Sequence, residues 1–242
     1  MSGVLSPVVM RITFRATMSR KRALLFAIPA VLLLGISGLL KATQPAATQW
    51  PPQFLGTFGF SVVLPLTALI IGTSVLGAEI DDGSVIHLLA TPVRRSTVIF
   101  SKFAVAVGLT IAFAAVPELL AGLIATGGGK LAVGIFAGAV AAAVIYNAIF
   151  VMVSVLTTRA IAVGLLYLVV WEGLLVNLVS GASELSAGQY SLGIANAIAG
   201  NPNLNAHLSL TTAVIMGAIV TAVTLLLAVR ALSAFSLKGD AA

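Results

Sequence analysis

Two carboxylates stand where carboxylates are costly. Glu118 and Glu172 each interrupt a long apolar run, and an ionisable group in such a run by default faces a cavity, water or a polar partner. Both are therefore candidates for lining a substrate pathway. Glu172 is paired in that reading with Asn177, five residues further on, and Glu118 follows directly on Pro117. A structural reading stands beside it, in which each carboxyl is a hydrogen-bonded helix contact or reaches the outer interface. Glu172 is eight residues short of the end of its run, about 12 Å along a helix.

Other reactive groupings are excluded. The chain has no cysteine, hence no disulfide framework and no thiolate metal site. Its two histidines, His87 and His207, fall on opposite sides of the topology drawn below, so no metal site is expected. Neither stands in a recognisable pattern with a nucleophilic serine and a carboxylate. The run Gly127-Gly128-Gly129-Lys130 invites comparison with a phosphate-binding loop. That loop needs a glycine five positions before the Gly-Lys pair and Ser or Thr after it, and here Ile124 and Leu131 occupy those places. No nucleotide site is expected on this chain, and no catalysis.

A third group of polar residues is of another kind. Residues 79–102, EIDDGSVIHLLATPVRRSTVIFSK, hold three of the seven acidic residues (Glu79, Asp81, Asp82) and three of the thirteen Lys and Arg (Arg94, Arg95, Lys102) between apolar runs. Asp82 or Ser84 can cap a helix, Gly83 permits a turn, Ile86, Leu89 and Ala90 fall at helical spacing, and Pro92 stops the run. Acids at the start and arginines beyond the end suit a helix macrodipole. The plainer alternative is a solvated loop whose charges keep the flanking segments from sliding through lipid.

These residues must be carried by a membrane scaffold. Hydrophobic residues make up 60% of the 242, charged residues 8%, and mean hydropathy is +1.14, far from the composition of a soluble domain. A span takes about 20 apolar residues, which predicts an all-α polytopic protein, one domain over 1–242, with six transmembrane helices. They are read at 23–40, 54–77, 103–126, 131–156, 160–180 and 208–229. Pro65 and Pro117 interrupt two of them, as membrane helices tolerate. Gly134, Gly138 and Ala142 make a small-residue stripe in the fourth, a surface another helix can approach closely.

Residues 1–22 alternate apolar positions with Arg11, Arg15, Arg20, Lys21 and Arg22, which predicts an amphipathic helix in the inner headgroup region. The alternative, a signal peptide with 23–40 as its apolar core, is disfavoured by the length of that run. Residues 181–207 form the longest outer segment and are expected to hold one or two short interfacial or re-entrant helices. Eleven of the thirteen Lys and Arg fall on one side of this topology and only Lys41 and Lys130 on the other. That bias puts both termini and residues 79–102 in the cytoplasm, across the plasma membrane. The charge of +6 and pI of 10.2 thus report topology, with lipid rather than nucleic acid as the partner.

The order Glu79, Gly83, Ser84, Leu88, Leu89, Pro92, Arg95 and Lys102 resembles the first cytoplasmic loop of ABC-2-type permeases, with Ser84 where that family often has Thr. The resemblance implies that 79–102 is a coupling helix docking on a separate ABC ATPase through Glu79, Asp81, Asp82, Gly83, Ser84, Leu88, Leu89, Pro92, Arg94 and Arg95. It also implies a homodimer with the second and fifth spans facing each other, export by alternating access, and ATP and Mg bound by the partner ATPase. The motif covers 79–102 alone; the topology covers the chain.

Two rival readings share the composition. An ATP-independent secondary transporter or channel would be expected to show related halves or paired broken spans with coupling-ion carboxylates, and no internal repeat is evident. A membrane biogenesis factor of the haem-export type shares the six-span design. Nothing in the sequence selects a substrate.

Overall fold

The computed structural model describes residues 5–44, 50–81, 94–179 and 181–238. These residues are helical, with no strand among them. A short helix, α1 (Pro7–Thr17), precedes α2 (Arg20–Thr43). A third helix, α3, occupies residues 50–81, then α4 (Arg95–Thr126), α5 (Lys130–Leu156) and α6 (Ala160–Leu175) follow. Helix α7 (Ala187–Ala199) and the long α8 (Leu210–Lys238) close the chain. Among the described residues five helices, α2 to α5 and α8, are long and apolar enough to cross a membrane, and α6 is a shorter apolar helix.

The fifth predicted span, 160–180, is helical over nearly its whole length, although its α6 stretch Ala160–Leu175 is shorter than the other five. Its helix runs from Ala160 and continues to Leu178 before the backbone turns extended at Val179. The N-terminal segment differs from expectation. Residues 5–22 are not one helix: α1 ends at Thr17, and Ser19, with extended φ and ψ, opens α2, so Arg20, Lys21 and Arg22 belong to α2. Helix α4 starts at Arg95, eight residues before the predicted span, and takes with it the last part of 79–102.

Helix α5 is the centre of the bundle: 72% of its most apolar stretch is buried, against 22% for α2 and 28% for α8. Its Gly134 and Gly138 face α7. A methyl on Gly134 would stand 2.5 Å from the Ala195 carbonyl oxygen, and one on Gly138 2.6 Å from that of Ser191. At such distances only glycine fits. At the other end of the contact Gly188 meets the Tyr146 hydroxyl. Helix α7 therefore runs antiparallel to α5 from Tyr146 to Gly134, and its N-terminus lies well down the length of α5 while its C-terminus lies near the start.

Two cores divide the bundle along its axis. One joins Leu55, Phe60, Ile135, Tyr146, Tyr190 and Leu204; the other joins Phe26, Val75, Val98, Val105, Val155 and Leu232. The second holds the start of α2, the ends of α3, α5 and α8, and the start of α4. Both ends of the described chain thus lie at one end of the bundle, the end with most of the arginines.

Three helices widen into π-turns, at Leu55–Val63, Ile111–Ala115 and Tyr167–Leu175. The first two end two residues before Pro65 and Pro117. Proline has no N–H to give and its ring crowds the carbonyl four residues back; an i→i+5 turn in front of it relieves both.

Candidate functional site

Glu172 is held by three donors from two elements. The π-turn of α6 brings residues five apart onto one another, so the Tyr167 hydroxyl donates to Glu172 Oε1 at 2.8 Å. The Ala187 amide donates to the same oxygen at 2.9 Å, and the Ser186 hydroxyl to Oε2 at 2.5 Å. Ser186 is the N-cap of α7, and its oxygen also accepts from the Gln189 amide at 3.1 Å. The carboxylate thus lies at the positive end of α7, among amides that have no partner within the helix.

The turn between α6 and α7 is pinned from both sides. Trp171 Nε1 donates to the Leu185 carbonyl at 3.2 Å and the Tyr190 hydroxyl to the Glu184 carbonyl at 2.6 Å. Gln189, placed to complete an N-terminal capping box with Ser186, instead accepts from the His207 amide at 3.1 Å. The Ser186 backbone N–H that the box would satisfy donates to the Ser183 carbonyl at 3.3 Å, and Glu172 accepts from the next one, that of Ala187.

Beside this carboxylate is a cavity of about 110 Å³, lined among others by Phe60, Ser61, Tyr146, Glu172 and Gln189. It has space for a few waters and is well short of the roughly 300–1,000 Å³ of a drug-sized site. It can hold a hydrated carboxylate in the interior of the bundle, next to the π-turn of α3.

Glu118 occupies a different place. It is fully buried in the first turn after Pro117, does not line the cavity at Glu172, and neither of its oxygens has a hydrogen-bond partner among the described residues. It packs on Gly59 in the π-turn of α3: a methyl there would run into the carboxyl group. The two carboxylates do not form one site.

Two buried polar side chains escaped the sequence reading. Asn147 of α5 donates to the Thr110 hydroxyl at 2.8 Å and the Ala143 carbonyl at 2.7 Å, and lies where a side chain on Gly72 would stand. Lys102, read as part of an exposed stretch, is fully buried in α4, its Nζ donating to the Val75 carbonyl of α3 at 2.7 Å. Buried amines persist only with such acceptors, and the apolar flanks of both gave the signal without naming the partner.

Of the residues expected to dock an ATPase, Arg94 is exposed just ahead of α4 and Arg95 opens it. Asp82, Gly83, Ser84, Leu88, Leu89 and Pro92 lie outside the described residues, as do the side chains of Glu79, Asp81 and Asn177. Among the described residues no group of His, Asp and Glu could hold a metal ion.

No curated protein matches the chain significantly. The model of the ABC-2 family transporter proteins matches residues 18–184, which take in α2 to α6, the segment between α3 and α4, and Glu172. That is more than half of the sequence, and the chain belongs to the ABC-2 family of transporter proteins.

Proposed function

We propose that the chain is the membrane-spanning permease subunit of an ATP-driven exporter in the plasma membrane, with both termini cytoplasmic and α6 as its fifth span. Two copies form the pathway. A separately encoded ABC ATPase, carrying ATP and Mg, docks on the segment between α3 and α4. The observation that carries this reading is the family match across 18–184, which includes that segment, on a chain whose glycine-rich turn lacks the residues of a nucleotide loop.

Surface chemistry supports it. Val8, Ile12 and Phe14 of α1 and Leu24, Ile28 and Val31 of α2 are exposed, which suits a helix in the headgroup region and a lipid-facing span. Leu166, Val169, Val170 and Leu174 of α6 are exposed as well, a face for the second copy. Glu172, with the Asn177 position beyond it, lines the outer half of the pathway in this reading, and Glu118, packed on Gly59 of α3 away from Glu172, is a separate candidate.

Co-expression with the ATPase encoded beside it tests the docking. The wild-type chain is expected to retain the ATPase through purification. A variant with Asp81, Asp82, Arg94 and Arg95 reversed in charge is expected to lose it while the helices remain folded. A full complement of ATPase on that variant refutes the docking segment.

A further inference from the structure

At the basic end of the bundle a cavity of about 730 Å³ opens between α2, α3 and the start of α6, with Arg22, Phe26, Ile70, Thr73, Arg159 and Leu165 on its walls. We propose that it binds the phosphate head group of an anionic membrane lipid, with the acyl chains lying along its apolar wall.

The two arginines approach from different elements. Arg22 stands in the first turn of α2 and Arg159 in the turn that leads into α6. Arg22 gives one N–H to the Ala16 carbonyl at 3.4 Å, which leaves most of its five donors for another acceptor. The Arg159 turn is fixed by its amide, which donates to the Thr157 hydroxyl at 3.1 Å. Among the described residues no carboxylate lines the cavity, so its charge is positive and uncompensated there. The hydroxyls of Thr73 and Ser74 donate back to the Leu69 and Ile71 carbonyls at 2.7 and 2.9 Å, which leaves anion binding to the guanidinium groups and the Thr158 hydroxyl. The planar guanidinium forks match phosphate oxygens in pairs.

The rest of the wall excludes a small hydrophilic ion as the natural occupant. Leu25, Ile161 and Leu165 are about half exposed at its edge, a surface that in a bilayer meets acyl chains. The volume lies within the range of sites that enclose a ligand. Arginines at the basic end of the spans are at head-group depth, where each basic residue adds attraction to anionic lipid. Net negative charge, rather than phosphate alone, is what two guanidiniums with no carboxylate among the described lining residues select.

The test uses the full-length chain in phosphatidylcholine nanodiscs. The absence of native cysteine lets Ile161→Cys carry a single fluorophore at the cavity edge. Spin-labelled phosphatidylglycerol is expected to quench it at about tenfold lower mole fraction than spin-labelled phosphatidylcholine. The Arg22→Gln/Arg159→Gln double variant should lose that preference, and Arg11→Gln/Arg15→Gln should keep it. Should the double variant fail to fold, Arg159→Gln alone, at an exposed turn, is expected to reduce the preference by roughly threefold. Equal quenching by the two lipids overturns the proposal, as does a preference that survives loss of the arginines. So does loss of the preference in millimolar inorganic phosphate, which would assign the site to a free phosphate compound, or protection of the label by a second copy of the chain with no lipid dependence.

Discussion

Glu172 joins two elements through one carboxylate, and its substitution separates charge from shape. Glu172→Gln keeps one carbonyl oxygen for three donors, and the expected cost is about 1–2 kcal/mol, with assembly preserved. Glu172→Leu leaves the Tyr167 and Ser186 hydroxyls and the Ala187 amide without their acceptor, at about 1–3 kcal/mol for each group that the neighbouring cavity does not hydrate. Unfolding in mixed micelles would rank the two. If Glu172 also lines the pathway, the Gln variant changes substrate-stimulated ATP turnover; normal stimulation would restrict its role to holding α7. Glu118 makes the opposite case. Gly59→Ala is expected to cost about 1–3 kcal/mol by overpacking, because the new methyl meets the carboxyl of Glu118. Adding Glu118→Ala should recover part of that loss, and additive effects in the double-mutant cycle would show that the two positions do not touch.

Helix α7 is the element that makes the fold specific, since it fills the space between α5 and α8 and receives Glu172 at its N-terminus. Gly134→Leu would push it off α5 at an expected cost of about 1–3 kcal/mol. A cysteine at the fully buried Ser191 reads this out: it should be protected from a membrane-permeant thiol reagent in the parent chain and labelled in the Gly134→Leu variant. Equal protection in both would mean that the stripe does not seat α7. The stripe itself was legible, because small residues every four positions are a local pattern, and so were the apolar runs and the interruptions at Pro65 and Pro117. That the interruptions become π-turns was not, since a proline states only that the ladder is disturbed. Nor was the contact of Glu172 with Ser186 and Ala187, which lie beyond a turn that no periodicity describes. Lys102 was misplaced for a related reason: charge marks exposure in a loop, but a carbonyl on the neighbouring helix reverses that rule.

At the scale of the whole molecule, the exposed apolar face of α6 and the charge asymmetry between the ends are the surfaces that the proposed second copy and ATPase would use. Cysteines introduced singly along α3 and α6 are expected to form symmetric disulfides between two copies in nanodiscs. Their absence along both helices would contradict the dimer. The chain alone is expected to hydrolyse no ATP. The most direct measurement of the central claim is ATP turnover in proteoliposomes that hold this chain together with its ATPase. The proposal predicts turnover that requires both chains and falls to the ATPase's own basal rate when Asp81, Asp82, Arg94 and Arg95 are reversed in charge. Turnover that is indifferent to the presence of this chain, or to those four residues, would contradict it.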